Sequence, residues 1–131
     1  MPTHQQTAPT VLVVEDDVLI NMAAVDAIVD HGYLALSAAN ADEALLVLAA
    51  HPEVDVLFTD IKMPGSIDGL ALAGVTRRDR PRIDIVIASG TLHPSRNEMP
   101  AGAAFLPKPY SAKQIADALR RLTDQTSRLA S

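Results

Sequence analysis

Three acidic side chains directly follow two short, mainly apolar runs of the chain. Glu15 and Asp16 come after residues 11–14, and Asp60 comes after residues 54–59. Consecutive apolar positions are typical of strands that are buried on both faces. The carboxyl ends of parallel strands meet at one edge of an open α/β sheet, where ligands bind. Three carboxylates at that edge would repel one another, and a hard divalent cation such as Mg²⁺ would neutralise them.

A hydroxyl and an ammonium group are predicted at the same edge. Ser89 follows the apolar run 83–88, and Lys108 follows the run 103–106. Positive and hydrogen-bonding groups beside carboxylates indicate a site for a doubly charged anion such as a phosphoryl group. An aspartate can act as nucleophile and carry such a group as a mixed anhydride. Phosphoryl transfer mainly requires positioning and charge neutralisation, which this set of residues could supply.

The chain alternates between strand-like runs and helix-period segments, and this alternation predicts βαβ units with a parallel sheet. Helix starts are indicated by Asp17, by Asn40 with Glu43, and by Ser111 with Gln114. The prolines Pro94 and Pro100 limit any helix between the last two strands. The predicted strands are 11–14, 33–38, 54–59, 83–88 and 103–106, and the predicted helices end before Gly32, before residue 52, near Arg77 and at Leu122.

The length of 131 residues and the composition indicate a single domain, which we place at 10–123 between a flexible N-terminal arm (1–9) and a C-terminal tail (124–131). The net charge of −5 argues against nucleic-acid binding, and a cluster of arginines at 77, 78, 80 and 82 is interpreted as a solvated face. The chain has no cysteine. The first ten residues lack the pattern of a secretion signal, and no apolar run approaches membrane-spanning length, so we expect a cytoplasmic protein.

Five segments in order resemble the receiver domain of two-component response regulators, of the single-domain type. They are VLVVEDD (11–17), FTDIKMPG (58–65), DGLALA (68–73), VIASG (86–90) and FLPKPY (105–110). The resemblance covers about residues 10–123. It implies a doubly wound, flavodoxin-like α/β fold with a five-stranded parallel sheet of order 2-1-3-4-5 and helices on both faces.

The resemblance also implies a role for each matched residue. Asp60 would be the phosphoacceptor, and Mg²⁺ or Mn²⁺ would be held by Glu15, Asp16, Asp60 and the backbone carbonyl of Lys62. Ser89 and Lys108 would contact phosphoryl oxygens. Phe105 would be a switch aromatic that rotates when Ser89 moves, and the peptide bond before Pro109 would be cis and would aim the lysine. Lys62, Gly90 and Thr91 would tune access to the phosphoryl group and its hydrolysis.

Two stretches depart from the usual family pattern. The loop 64–69 is one residue longer than is common, and the segment between Ser89 and Lys108 is shorter. The second departure predicts that the fourth helix of the family, which is part of its usual signalling face, is shortened. The sequence leaves open whether the protein forms a homodimer.

The function expected from these residues is that of a stand-alone receiver. A histidine kinase or histidine phosphotransfer protein would phosphorylate Asp60, and the modified domain would shift its conformation toward an unknown output protein or act as a phosphate sink. Such a domain is no enzyme beyond self-catalysed phosphotransfer and autodephosphorylation. The alternatives are a receiver fragment of a hybrid histidine kinase, a flavin-binding module, and an aspartyl-phosphate phosphatase. Lys62 stands where the phosphatase needs an acidic residue, and Glu15, Asp16 and Asp17 would repel a flavin phosphate.

Overall fold

A computed structural model describes the backbone of residues 8–130 and the side chains of residues 8–124. Residues 1–7 of the predicted N-terminal arm, and Ser131, lie outside the described part. Five parallel strands form one sheet with the order β2-β1-β3-β4-β5, which confirms the predicted fold class. In chain order the elements are β1 (Thr10–Val14), α1 (Val18–Asp30), β2 (Leu34–Ala38), α2 (Ala41–Ala50), β3 (Val54–Asp60), α3 (Gly69–Asp79), β4 (Asp84–Ser89), a 3₁₀ helix (Arg96–Glu98), β5 (Ala104–Pro107) and α4 (Ala112–Ala130).

Two apolar layers cover the two faces of the sheet. Alternate residues of the central strands point to opposite faces, so Leu12 and Leu57 belong to one layer while Val11 and Val56 belong to the other. Helices α2 and α3 pack on the first face, and α1 and α4 pack on the second. Because both faces are covered, β1, β3 and β4 are buried almost throughout and place their final residues at one edge.

The predicted caps at Asp17, Asn40 and Ser111 are confirmed, but the predicted reciprocal bond of Glu43 is not formed, because its side chain accepts from the backbone N–H of Ala39 (3.1 Å) instead of that of Asn40. The side chain of Asp17 accepts hydrogen bonds from the backbone N–H groups of Leu19 and Ile20 (3.0 and 3.1 Å). Asn40 accepts from the backbone N–H of Glu43 at 2.8 Å. Ser111 and Gln114 cap α4 reciprocally, through contacts of 3.1 and 2.7 Å. These bonds satisfy N–H groups that have no partner inside their helices.

Two predictions about the helices need comment. The predicted end of the last helix at Leu122 is wrong, because α4 continues to Ala130 and neither glycine nor proline follows Leu122 to stop it. The shortening of the fourth family helix is confirmed, since the structure has only the 3₁₀ turn Arg96–Glu98 between β4 and β5. Pro94 and Pro100 flank this turn and prevent a longer helix.

The arginine cluster after α3 has a different role from the predicted solvated face. The guanidinium of Arg80 donates to the carbonyl oxygens of Leu48, His51, Pro52 and Val54 at 2.8–3.4 Å. Arg77 donates to the carbonyls of Pro81 and Ile83 in the same way. Both arginines therefore close loops at the amino-terminal edge of the sheet. The prediction is wrong for Arg77 and Arg80, and only Arg78 and Arg82 are exposed.

Candidate functional site

The three predicted acids meet at the carboxyl edge of the sheet. Glu15 follows β1 and Asp60 ends β3, and these residues are only 4% and 8% exposed, whereas Asp16 is open to solvent. One carboxylate oxygen from each lies within 4.8 Å of the other two. The sheet order explains the meeting, because β1 and β3 are adjacent and run in register up to Val14 and Thr59.

Lys108 reaches the same cluster from the end of the edge strand β5. Its Nζ atom lies 2.5 Å from Oε1 of Glu15 and 3.2 Å from Oδ2 of Asp60. Lys108 stands just after β5, two strands from β3, and its backbone N–H donates to the carbonyl of Ser89 at 3.0 Å. The cluster therefore combines two buried carboxylates, one exposed carboxylate and one ammonium group.

Burial dominates the electrostatics of this cluster. Removal from water raises the pKa of Glu15 above its ordinary value, although the hydrogen bond from Lys108 opposes this change. The pKa of Asp60 is raised for the same reason, and the charge of Lys108 again opposes the shift. Burial alone would lower the pKa of Lys108, but its hydrogen bond to Glu15 and the charge of Asp60 outweigh that effect and raise it. A further positive charge would therefore stabilise the ionised acids.

Backbone groups fix the orientation of the two buried carboxylates. The backbone N–H of Asp17 donates to Oε2 of Glu15 at 3.0 Å, and the N–H of Ile61 donates to Oδ1 of Asp60 at 2.9 Å. The side-chain amide of Asn21 donates to the backbone carbonyls of Glu15 (3.0 Å) and Ala38 (3.3 Å) and so ties the ends of β1 and β2 together. These contacts leave little freedom in the positions of the acids.

Gly69 allows the start of α3 to approach Asp60. Its backbone N–H donates to the carbonyl of Ile61 at 2.8 Å, and a Cβ atom at this position would lie 1.7 Å from the backbone oxygen of Asp60. Only glycine fits this close backbone contact. The helix start thereby supports the loop that follows the candidate nucleophile.

Ser89 and Phe105 are brought near the site by β4 and β5. Ser89 is 1% exposed, and its Oγ atom accepts a hydrogen bond from the backbone N–H of Leu92 at 3.0 Å, which leaves its own proton free to be donated. Phe105 is half-buried, and its ring meets the ring of His93 edge-on with 5.6 Å between the centroids. The loop after Ser89 therefore contacts both residues.

The remaining predicted residues lie at the solvent-exposed surface. Lys62 and Thr91 are exposed. A Cβ atom on Gly90 would lie 3.4 Å from Cβ of Lys108, so this glycine borders the lysine. The peptide bond between Lys108 and Pro109 is cis, as predicted.

Three residues near the site were missed in the sequence analysis. They are Asn21, Gly69 and Tyr110; the ring of Tyr110 packs edge-on against Phe58 at 5.5 Å, and burial raises its pKa to about 12. Gly69 carried a signal that could have identified it, because a glycine directly after the helix-capping Asp68 has low helix propensity and indicates a close backbone contact. Asn21 carried no such signal, since its two carbonyl partners depend on the sheet order.

The donor set fits Mg²⁺ or Mn²⁺. These ions prefer carboxylate and carbonyl oxygens together with water, and the cluster supplies two buried acids and one exposed acid that keeps the site open to solvent. A phosphoryl group would bring further oxygens for the ion. Combined with Lys108 and the hydroxyl of Ser89, the arrangement is that of a phosphoacceptor domain with a divalent-cation pocket.

Comparison with known proteins identifies the family. The chain matches the model of the response regulator receiver domain over residues 11–120. It therefore belongs to the receiver domain family of two-component signalling proteins, whose members act generally as phosphoacceptors. Of the residues described in the structure, none forms a helix that is both long and apolar enough to span a membrane.

Two curated relatives are much longer than this chain. Sensor kinase CckA of Brucella abortus is 35% identical over 127 residues, an alignment that covers 94% of this chain and 13% of that protein. The nitrogen assimilation regulatory protein NtrX of Azorhizobium caulinodans is 32% identical over 112 residues, covering 82% of this chain and 24% of that protein. The matched part is thus a module within each relative.

Solved structures agree with the fold. A response regulator receiver protein from Sinorhizobium medicae aligns with a TM-score of 0.83 over 91% of this chain and 97% of that chain, at 24% identity. The receiver domain from hybrid histidine kinase CckA aligns with a TM-score of 0.75 at 30% identity, over 86% of this chain and 97% of that chain.

Proposed function

We propose that Asp60 accepts a phosphoryl group from the phosphohistidine of a histidine kinase or a histidine phosphotransfer protein. The observation that carries this proposal is the convergence of Glu15, Asp16 and Lys108 on Asp60 at the carboxyl edge of the sheet. Each neighbour suits one part of the reaction, because phosphoryl transfer depends on aligned charges more than on covalent steps by the protein.

In the transfer, an oxygen of Asp60 attacks phosphorus. A P–O bond forms while the P–N bond to the donor imidazole breaks, and the imidazole nitrogen keeps the bonding electron pair. Lys108 already contacts Oδ2 of Asp60 at 3.2 Å and is placed to pair with a phosphoryl oxygen. Ile61 N–H donates to the other oxygen of Asp60 and holds the carboxylate in a fixed orientation.

Glu15 and Asp16, with Asp60 and the backbone carbonyl of Lys62, would hold Mg²⁺ or Mn²⁺. When bound, the ion neutralises charge on the acids and on the phosphoryl oxygens. Asp17 N–H and Asn21 keep Glu15 in place for this task. Lys108 already neutralises part of the negative charge of the acids. The ion and Lys108 together would therefore balance the negative charge of the site.

Ser89 would report the phosphoryl group to the rest of the molecule. Its hydroxyl proton is free to be donated to a phosphoryl oxygen, and its Oγ atom holds the N–H of Leu92. A movement of Ser89 would therefore move the loop that carries His93, whose ring contacts Phe105. In this proposal Phe105 is the switch residue, while Lys62, Gly90 and Thr91 at the mouth govern access of water to the phosphoryl group.

An apolar surface beside the site suits the phosphodonor. Helix α1 exposes Leu19 (77%) and Met22 (57%), and a groove of about 680 Å³ runs between α1 and α4 from the mouth of the site. Gly90, Thr91 and Lys108 line one end of this groove. Large exposed apolar side chains mark contact surfaces, and a helical partner docked here would bring its phosphohistidine to Asp60.

A second arrangement is favoured by the similarity to sensor kinase CckA. In that case the chain would receive its phosphoryl group as the receiver module of a hybrid histidine kinase. The chemistry at Asp60 is the same in both arrangements. They differ only in whether the donor and the output are separate proteins or attached domains. As a separate protein, the phosphorylated chain would signal to an output protein or drain phosphoryl groups from a relay.

The proposal is tested by phosphorylation with a small donor. The protein is incubated with acetyl phosphate and Mg²⁺, and intact mass spectrometry should show one added phosphoryl group. The Asp60→Asn variant should show none. Asp26→Asn, which changes an exposed acid on α1, should be phosphorylated like the unmodified protein.

Two results would contradict the proposal. One is an unmodified mass after incubation, with correct folding checked by circular dichroism. The other is an undiminished adduct on Asp60→Asn. Fast multiple turnover of an unrelated phosphate ester, with Asp60 required, would instead favour a phosphatase.

A further inference from the structure

The loop between β3 and α3 (residues 61–68) extends from the candidate metal site to the start of α2. It begins directly after Asp60 and includes Lys62, whose backbone carbonyl is a proposed ligand of the ion. The backbone N–H of Gly69 donates to the carbonyl of Ile61 at 2.8 Å and closes the base of the loop. Most of the loop beyond this base is exposed, so its arrangement depends on the few contacts that its middle part makes.

One carboxylate of α2 holds the middle of this loop. Oδ1 of Asp42 accepts a hydrogen bond from the hydroxyl of Ser66 at 2.6 Å, and Oδ2 accepts from the backbone N–H of the same serine at 3.5 Å. Hydrogen bonds to an ionised group are stronger than those between neutral groups. Because two groups of Ser66 contact one carboxylate, Asp42 restrains both the position and the direction of the loop backbone at that point.

Gly65 lets the loop backbone lie against this carboxylate. Its φ angle is +122°, which residues with a side chain rarely adopt, and a Cβ atom there would lie 3.4 Å from Oδ2 of Asp42. Asp42 itself belongs to the first turn of α2, which Asn40 caps by accepting from the backbone N–H of Glu43. The carboxylate is therefore presented by a capped helix start.

Apolar contacts would not by themselves set the orientation of the peptide group that is proposed to bind the ion. Met63 and Ile67 are half-buried and pack against the apolar layer of α2 and α3. Such contacts are non-directional and tolerate small rotations of the backbone. The carbonyl of Lys62 belongs to the peptide group between Lys62 and Met63, and a rotation of that group would change the direction of its oxygen. The directional bonds of Ser66 limit this rotation.

We propose that Asp42 and Ser66 are positioning residues for the divalent cation. The bonds between them would hold the loop in the arrangement in which the backbone carbonyl of Lys62 is available as a ligand. Neither residue would touch the ion or the phosphoryl group. The inference rests on the cation site of the proposed function, but it does not require phosphorylation of Asp60.

The expected effect follows from the population of the loop arrangement that can bind the ion. Without the bonds between Asp42 and Ser66, the loop would adopt several arrangements, and only a fraction of them would offer the complete set of ligands. The apparent dissociation constant rises in proportion as that fraction falls. A fall to about one tenth would weaken Mg²⁺ binding about tenfold, which is the lower end of the usual cost of losing an outer contact of a metal site.

The test is a titration of the protein with MgCl₂, followed through the NMR amide signals of residues 15–17 and 60–62. Ser66→Ala and Asp42→Ala should each raise the dissociation constant of Mg²⁺ about tenfold, and the double variant should raise it no further, because both changes break the same bonds. Ser66→Thr, which keeps the hydroxyl, should bind Mg²⁺ like the unmodified protein. The melting temperature without Mg²⁺ should stay close to that of the unmodified protein in Ser66→Ala, which separates the effect from a loss of folding.

The Mg²⁺ dependence of phosphorylation by acetyl phosphate distinguishes a positioning role from a catalytic one. Ser66→Ala should need about tenfold more Mg²⁺ for the half-maximal rate, whereas its rate at saturating Mg²⁺ should equal that of the unmodified protein. Ser37→Ala, the same substitution at an exposed serine of β2, should change neither quantity.

The inference is overturned if Ser66→Ala and Asp42→Ala bind Mg²⁺ as tightly as the unmodified protein, or if Ser66→Thr binds it as weakly as Ser66→Ala. Additive effects in the double variant would also overturn it, because Asp42 would then act on the ion through its charge and not through Ser66. A protein that binds Mg²⁺ as described but takes no phosphoryl group would contradict the proposed function and support the inference. Normal phosphorylation with unchanged Mg²⁺ binding in the variants would contradict the inference alone.

Discussion

The acid site around Asp60 and the β4–β5 crossover (residues 90–103) adjoin each other, yet they are held in different ways. In the acid site, Glu15 and Asp60 are buried and each accepts both a backbone N–H and the ammonium of Lys108. The crossover is mainly exposed, and only one short turn of helix forms in it. The acid site would perform the proposed chemistry, and the crossover would report its state to the rest of the molecule.

This difference follows from what each region must do. Phosphoryl transfer requires fixed distances between the nucleophile and the neutralising charges, so the acid site is supported on several sides. A segment that reports the state of the site must adopt two arrangements of similar free energy, which a segment with few buried contacts can do. Ser89 connects the two regions, because its backbone belongs to β4 and its Oγ atom holds Leu92 in the crossover.

The largest predicted effect is a loss of stability caused by a substitution next to the acid site. Gly69→Ala should lower the free energy of unfolding by about 3 kcal/mol, because the new Cβ atom would meet the backbone of Asp60 and the strand end would have to move. The midpoint of urea unfolding, followed by circular dichroism, measures this loss. Phosphorylation by acetyl phosphate should fall as well, since Asp60 is displaced.

Gly74→Ala is the control for that substitution. Gly74 lies on the same helix, but a Cβ atom there would meet nothing within 4 Å. The variant should therefore be more stable by about 0.5–1 kcal/mol, as expected for alanine in place of glycine in an exposed helix. Equal effects of the two substitutions would show that the close contact at Gly69 does not support the site.

The sequence predicted the strands and the positions of the acid-site residues. Each strand was located to within one residue at either end, because apolar runs of strand length between helix-period segments leave few alternatives. The caps at Asp17, Asn40 and Ser111 followed from residue type and spacing alone. The site residues then followed from their positions at strand ends, since parallel strands bring these positions to one edge.

Contacts between distant parts of the chain were not predictable in the same way. Arg80 binds carbonyl groups 26–32 residues earlier in the chain, and a local pattern of arginines gives no sign of that. The two bonds of Asn21 to Glu15 and Ala38 depend on β1 and β2 being neighbours. The shortened helix between β4 and β5 was predictable, by contrast, because Pro94 and Pro100 limit helix formation locally.

The next largest effect concerns the charge balance of the acid site. Lys108→Gln should lower stability without Mg²⁺ by about 1–3 kcal/mol, because Glu15 and Asp60 would remain buried without their cation. Phosphorylation of Asp60 should slow about a hundredfold, a typical cost of losing one stabilising group. Lys113→Gln, at an exposed lysine near Asp117, should change either quantity little. An unchanged phosphorylation rate in Lys108→Gln would contradict the proposed role of Lys108.

A smaller effect is expected in the pH dependence of stabilisation by Mg²⁺. Burial raises the pKa of Glu15 and Asp60 in the folded protein above 4.5 and 3.8. Raised values favour the folded state below these ordinary pKa values, and this stabilisation is lost as the pH rises through the raised values. Mg²⁺ binds the ionised acids, so its stabilising effect should be full at neutral pH and should shrink as the pH falls through the raised pKa values.

The melting temperature with and without Mg²⁺, measured between neutral pH and pH 4, tests this prediction. The increase in melting temperature caused by Mg²⁺ should become smaller as the pH falls. Glu15→Gln should reduce this increase at all pH values. Asp26→Asn, at an exposed acid distant from β3 in the chain, should leave the increment unchanged. An increment that stays constant down to pH 4 would contradict the raised pKa values or the placement of the ion.

The smallest effects are expected in the crossover itself. Amide hydrogens of residues 92–103 should exchange about a hundredfold faster than those of β3, because an exposed segment with one short turn opens locally at low free energy. His93→Ala removes the edge-on ring contact with Phe105, which is worth about 0.5–1.5 kcal/mol, and should speed exchange in this segment by a further two- to tenfold. His51→Ala, at a histidine that contacts Glu53 after α2, should not alter it. Hydrogen exchange followed by mass spectrometry resolves these segments. Exchange in 92–103 as slow as in β3 would show that the crossover is as firmly held as the acid site and would remove the physical basis for assigning it the reporting role.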